Sequence, residues 1–271
     1  MLDEFSLHDK KALVTGGGRG IGKAIALVLA EAGADVAVAA RTESQIQETA
    51  QEIRDLGRSS LAIQADVSGS KQVDDMAARA IEGLGRIDIL VNAAGVSKGG
   101  PVVPLPDPPS SKIRWDFKVG MSDETWHEVI QTTLSSAFYC CRAIAPQMLE
   151  RRQGKIINIS SNNDIMAYPY GAAYYSSKAA LKMLTKVLAS EWARYNINVN
   201  GIGPGWFITD MTRAGFDDPE IYERRVGQVP LKRLTDLRDL GLLATYLASP
   251  ASDWMTGQII YLDGGESAVH N

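Results

Sequence analysis

Three side chains in one short stretch could move a proton together. Ser160-Ser161-Asn162-Asn163-Asp164 follows an apolar run, Lys155-Ile156-Ile157-Asn158-Ile159, and an arm ending Tyr168-Pro169-Tyr170-Gly171 leads to Ala172-Ala173-Tyr174-Tyr175-Ser176-Ser177-Lys178. The apolar positions 179, 180, 183, 184, 187 and 188 predict a long helix after it. Tyr174 and Lys178 are four residues apart, so in a helix both point from one face. A free phenol titrates at about 10, too high for ready exchange near neutrality. An adjacent ammonium favours the phenolate and lowers that value toward the range of general acid–base work. Ser161 is then placed to hydrogen-bond the same reacting oxygen. The same spacing also occurs on helices that do no chemistry.

The elements that must position these groups are legible as an alternation. β-branched runs at 12–14, 36–38, 61–63, 87–91, 156–159, 197–202 and 259–262 are mostly separated by amphipathic stretches such as Ile21, Ile25, Val28, Leu29 and Ala32. This predicts an α/β fold with a doubly wound parallel sheet of about seven strands and helices on both faces. In such sheets ligands bind outside the carboxyl ends of the strands. The segments after the runs are Thr15-Gly16-Gly17-Gly18-Arg19-Gly20-Ile21-Gly22, Arg41-Thr42, Asp66-Val67, Asn92-Ala93-Ala94-Gly95, Ser160-Ser161 and Pro204-Gly205-Trp206. Polar and glycine residues therefore gather on one edge.

The first loop departs from Gly-x-Gly-x-x-Gly, because Ile21 stands where the third glycine would fall. Its glycines still let backbone approach a pyrophosphate, and a helix opening at about Gly20 offers amides and a positive dipole end. The alternative is a glycine-rich turn with no ligand, which would not require the conformational entropy that three consecutive glycines cost. An NAD site would carry an acid at the end of the second strand for the ribose hydroxyl. Here Ala39-Ala40-Arg41-Thr42 has none, so a 2′-phosphate can sit against Arg41, helped by Arg19, and NADP(H) is expected over NAD(H).

Composition narrows the classes. At 271 residues, 45% apolar and 22% charged, the chain suits a single globular domain. A net charge of −4 without a basic stripe excludes a nucleic-acid reading. No apolar window approaches a membrane span, and the acidic start Met1-Leu2-Asp3-Glu4-Phe5 is no signal peptide. The two cysteines, Cys140 and Cys141, are adjacent and point to a reducing compartment, so a cytoplasmic location is expected. His8, His127 and His270 are dispersed, so no metal site is expected.

These motifs together resemble the classical short-chain dehydrogenase/reductase family, from Lys11 to Gly265. The resemblance implies a cofactor loop with Gly16, Gly18, Arg19, Gly20 and Ile21, an adenine contact at Asp66-Val67, and an Asn92-Ala93-Ala94-Gly95 turn whose second Asn is replaced. It places Pro204, Gly205, Ile208 and Thr209 near the nicotinamide, and Leu262-Asp263-Gly264-Gly265 matches the end of the last strand. In the family the serine precedes the tyrosine by thirteen residues, which selects Ser161 rather than Ser160. The implied roles are Tyr174 as acid or base, Ser161 as orienter, and Lys178 as ribose ligand and tuner of the phenol. The family's fourth member, an Asn in a proton relay, falls on Thr133, seven residues after Trp126 and five before Phe138, with Thr132 beside it.

The expected organisation is one domain over 1–271. It has a cofactor-binding half at about 8–95, a long Pro-rich loop at 96–122, and a catalytic half at about 123–265 with a substrate lid at about 206–228. The long loop carries Trp115 and Phe117 and serves either as a wall of the cleft or as a surface insertion or subunit contact. In the lid, Trp206, Phe207, Met211, Phe216 and Tyr222 are apolar or aromatic, while Arg213, Arg224 and Arg225 either hold an anionic substrate group or are solvated. The implied activity is NADP(H)-dependent interconversion of a secondary alcohol and a ketone on a small substrate. A weak local likeness to gluconate-type dehydrogenases at 192–207 suggests a polyol or sugar acid. The alternatives are a 3-oxoacyl-thioester reductase and, in another class, a cofactor-binding regulator on the same fold. The family also implies a homo-oligomer, a tetramer or dimer.

Overall fold

The computed structural model describes residues 2–107, 116–213 and 216–269. Seven parallel strands form one sheet: β1 (Lys11–Thr15), β2 (Asp35–Ala40), β3 (Ser60–Gln64), β4 (Ile89–Asn92), β5 (Gly154–Ile159), β6 (Ile197–Pro204) and β7 (Ile259–Leu262). Their spatial order is β3-β2-β1-β4-β5-β6-β7. The expected doubly wound α/β architecture is therefore present.

Burial on both faces explains why the central strands read as continuous apolar runs. In β1, Ala12 and Val14 join one core while Leu13 joins the other, on the opposite face. The first core packs under α1 (Gly20–Glu31), α2 (Glu43–Asp55) and, later in the chain, α8 (Arg238–Ala248). The second packs under α3 (Ser70–Leu84), α5 (Ser136–Arg151) and α6 (Ala172–Trp192). In α3 the buried residues Val73, Met76, Ala77 and Ala80 follow the helical period that the sequence shows.

Two short helices were not evident in the sequence. One is α4 (Asp123–Ile130), capped by Ser122, whose hydroxyl accepts from Thr125 N at 3.2 Å. It continues through a π-helical turn, Gln131–Ser135, into α5. The other is α7 (Pro219–Gln228) inside the 206–228 piece; Asp218 caps it, accepting from Glu220 N at 2.9 Å, and Pro219 starts it. The chain ends in a short turn of helix, α9 (Glu266–Val269).

Order reverses between β1 and β4, where Thr15 and Asn92 stand side by side. Connections leave that pair in opposite directions, which opens a crevice above it. Beneath the crevice the asparagines are tied together: Asn92 Nδ2 donates to Asn158 Oδ1 at 2.9 Å, and Asn158 Nδ2 donates to Thr185 Oγ1 at 2.9 Å.

Helices α1 and α8 meet closely at Gly241. A Cβ there would lie 2.5 Å from Val28 Cγ2 and 2.7 Å from Val28 Cβ. Overpacking of this kind costs about 1–3 kcal/mol, against a helix-propensity gain of up to about 1 kcal/mol. Gly241→Ala is therefore expected to lower unfolding free energy by about 1–2 kcal/mol in urea titration. Unchanged stability would mean that the two helices can separate freely.

Candidate active site

The crevice is an open cleft along the carboxyl ends of the strands. Its floor begins at the glycine loop, where Gly16, Gly18, Arg19, Gly20 and Ile21 line it. Gly16 has φ +67, and a Cβ there would lie 2.9 Å from Ala94 N, so only glycine lets the β1 and β4 loops close on each other. The N-terminus of α1 has no side-chain cap and no acid in its first turn. Those amides are left for an anion.

Arg41, Thr42, Asp66 and Val67 line the far end of the cleft, and Ala93 and Gly95 line its centre. Arg19 forms a loose ion pair with Asp210 at 3.7 Å, with both side chains more than half exposed. The end of β2 carries the Arg41 guanidinium and no carboxylate of its own, which suits a phosphate there, and the uncapped amides suit a pyrophosphate. The residues present therefore fit a phosphorylated dinucleotide.

Ser161, Tyr174 and Lys178 converge on the same cleft, from the end of β5 and the first two turns of α6, with Pro204, Gly205 and Thr209 opposite. Asn92 and Ile208 are not on its lining. Asn92 is buried in the amide chain below, and Ile208 is 39% exposed. Met211 of the expected lid lines the cleft; Asp210 and Thr212 line it too and were not singled out by sequence, since no periodicity marks them.

Lys178 is 5% exposed and its Nζ donates to the Ile159 carbonyl at 2.7 Å, 5.5 Å from the centre of the Tyr174 ring. Burial pulls its pKa down to about 8, opposed by the Asp164 charge. At neutral pH the ammonium therefore stays protonated. Tyr174 does not behave as the spacing suggests. Desolvation pushes its pKa up to about 12, with the Ser161 hydrogen bond acting downward and Tyr175 upward. In the chain by itself burial outweighs the Ser161 hydrogen bond, and the phenol keeps its proton.

Thr133 occupies the π-helical turn, a local geometry that often marks functional sites. It is 1% exposed and its Oγ1 has no protein hydrogen bond. A Cβ on Gly95 would lie 3.6 Å from that oxygen and 3.8 Å from Lys178 Nζ, so hydroxyl and ammonium share one small space.

The long loop and the lid make aromatic contacts of their own. Phe117 is 7% exposed and meets Tyr170 edge-on at 5.0 Å, and Gly100 N donates to the Tyr170 carbonyl at 2.9 Å. The described part of the 96–122 loop is thus docked on the arm that leads to Tyr174; Trp115 lies outside the described residues. Tyr170 itself has φ +72, a costly conformation for a tyrosine. In the lid, Arg225 stacks over Trp206 at 4.3 Å and Phe216 at 4.7 Å, whereas Arg213 and Arg224 are exposed. Among the described residues no group of three or more His, Cys, Asp or Glu could hold a metal ion, and no helix is long and apolar enough to cross a membrane.

Known proteins share this fold. The short chain dehydrogenase family model matches residues 10–220. The chain is 37% identical over 258 residues to the 3-oxoacyl-acyl-carrier-protein reductase FabG of Staphylococcus epidermidis, covering 95% of this chain and 98% of that one. It is 38% identical to the 2-dehydro-3-deoxy-D-gluconate 5-dehydrogenase of Bacillus subtilis, covering 97% and 96%. A gluconate 5-dehydrogenase from Burkholderia cenocepacia, solved with NADP and tartrate, superposes with a TM-score of 0.89 at 35% identity over 99% of each chain.

The charge of Lys178 gives a pH signature. Its folded value of about 8 lies below the ordinary 10.5, so between those values the unfolded chain binds the extra proton. The resulting penalty on stability is full below about pH 8 and fades as pH rises toward the unfolded value. The stability of Lys178→Met relative to the parent should therefore be highest at about pH 7 and fall by about pH 9.5 in urea unfolding. A pH-independent difference would contradict the buried ammonium.

Proposed function

We propose that this chain, which belongs to the short-chain dehydrogenase/reductase family and is an oxidoreductase acting on CH–OH and C=O groups, uses NADP(H) on a small polyol, sugar acid or similar hydroxy or keto compound. The observation that carries the reading is the convergence of Ser161, Tyr174 and Lys178 on a cleft that Arg19 and Arg41 also line, with no acid at the end of β2.

Bound in the cleft, a nicotinamide dinucleotide supplies the hydride acceptor in one direction and the hydride donor in the other. Residues of the chain handle the proton and the geometry. Tyr174 gives its phenolic proton to the substrate oxygen as a carbonyl is reduced, and takes it back as an alcohol is oxidised. Ser161 donates a hydrogen bond to the same oxygen and so fixes the carbon facing the cofactor. Lys178, held by Ile159, keeps a positive charge beside the ring and lowers the cost of the transient phenolate. Thr133 Oγ1 is free to hand a proton onward beside Lys178, in place of the family's Asn. Arg41 and Arg19 hold the 2′-phosphate.

The gluconate-type relatives support the substrate class. A second reading, a 3-oxoacyl-thioester reductase, is supported by the 37% identity to FabG. A regulator without turnover is disfavoured by the complete Ser161, Tyr174 and Lys178 set. Buried free Cys140 and Cys141 support a reducing, cytoplasmic location. Exposed Met183 and Val187 on α6, at 58% and 43%, support burial against another copy in a dimer or tetramer.

Fluorescence titration with NADPH and NADH tests the cofactor. NADPH should bind at least about tenfold tighter, about 1.4 kcal/mol, and Arg41→Ala should remove the difference. Equal or tighter NADH binding overturns the assignment. A panel of keto sugar acids and 3-oxoacyl thioesters with NADPH separates the two substrate classes. In that panel Tyr174→Phe should lower turnover by about 10²–10⁴-fold while NADPH binding persists. Retained turnover would remove Tyr174 from the chemistry.

A further inference from the structure

Glu266 is completely buried, and among the described residues no cation pairs with it. Its carboxylate instead takes three hydrogen bonds from neutral donors. Asn162 Nδ2 donates to Oε2 at 2.8 Å, and Tyr168 Oη and Trp206 Nε1 donate to Oε1 at 3.0 and 3.1 Å. A buried carboxylate is costly unless every lone pair is met, and bonds to a charged acceptor are among the stronger ones. The position is thus a built junction. Its three donors come from separate segments: the loop just after Ser161, the arm before Tyr174, and the root of the 206–228 piece.

The bond to Asn162 has a directional consequence. With Nδ2 committed to Glu266, the other end of the amide, Oδ1, is turned to the Ser161 hydroxyl at 3.5 Å. Ser161 Oγ meanwhile accepts from Asn163 N at 3.2 Å. The carboxylate therefore fixes which end of the amide the reactive serine meets. On its other oxygen it pins Trp206, which carries Phe216 edge-on at 6.0 Å and Arg225 above its ring.

We propose that Glu266 is a positioning residue for the substrate side of the site: through Asn162 it orients the Ser161 hydroxyl, and through Trp206 and Tyr168 it sets the spacing of the substrate walls. The kinetic part of this proposal rests on the oxidoreductase reading above. A glutamine at 266 keeps the shape but presents an NH₂ to one donor. The relief with fewest broken bonds is rotation of the Asn162 amide, which turns its NH₂ toward Ser161.

The test compares the parent, Glu266→Gln and Trp206→Phe. Glu266→Gln is expected to lower kcat/KM for the best ketone at least tenfold, with the NADPH dissociation constant within twofold and the melting temperature nearly unchanged. Trp206→Phe breaks one of the three bonds and keeps an aromatic ring, so it should raise KM at least threefold and by more than it lowers kcat. Because Trp206 donates to the carboxylate, Glu266→Gln should also shift the part of the tryptophan emission that disappears in Trp206→Phe. A kcat/KM within twofold of the parent overturns the proposal. So does a parallel loss of NADPH binding and melting temperature, which would assign Glu266 to the fold alone. If the parent reduces no ketone, the oxidoreductase reading fails. The emission difference then decides the junction, and its absence overturns it.

Discussion

The reversal of strand order between β1 and β4 is the constraint on which the rest depends. Thr15 and Asn92 end neighbouring strands, but the chain leaves them toward opposite sides of the sheet. No side chain has to be spent on making the cleft, because connectivity makes it. What residues must do is keep it narrow enough to work. Gly16 allows the two loops to touch, and the Asn92–Asn158–Thr185 chain holds β4, β5 and α6 at fixed spacing beneath them. The reactive trio is then delivered by the two elements that this chain of bonds joins.

Burial controls the electrostatics of that trio. Desolvation acts in opposite directions on its two titratable groups, raising the phenol and lowering the ammonium, so both move away from easy ionisation as neighbours of each other. The tyrosine therefore keeps its proton near neutral pH. The lysine remains charged near neutrality because the Ile159 carbonyl and the Asp164 charge oppose the loss. Asp164 is itself tied down by Ser160 at 2.7 Å, by Lys182 at 3.4 Å and by Tyr261 at 2.5 Å. A second layer of polar contacts thus stands behind the first.

How far the sequence could be read follows the range of the interactions. The sheet, its helices and the glycine loop were legible because they are written in local periods of two and 3.6 and in residues with special backbone needs. The meeting of Ser161, Tyr174 and Lys178 was legible because strand and helix place them within eighteen residues of each other. The phenol's high pKa was not, since spacing shows the neighbouring charge but not the desolvation. Helix α7 was hidden by its polar composition, and the π-helical turn at Thr133 by the fact that it interrupts a continuous helical pattern. Asn92 reads as a ligand of the cleft from its position after a strand; its Nδ2 is used inside the sheet, while its buried Oδ1 has no hydrogen-bond partner.

Glu266 marks where local reading stops altogether. It lies 104 residues from Asn162, 98 from Tyr168 and 60 from Trp206, and no period or motif links them. The cofactor end of the cleft is built mainly from loops that follow strands directly, so backbone geometry dictates residue type. The substrate end is built from the arm, the long loop, the lid and the chain terminus, none of which is placed by the sheet alone. Their mutual position depends on side-chain bonds made across the fold, such as Phe117 on Tyr170 and the three donors on Glu266. Changes in those few side chains can reshape the substrate walls while the sheet and cofactor loops stay as they are. That separation is the physical reason the strand-end loops follow from local sequence while the outer segments follow from side-chain bonds across the fold.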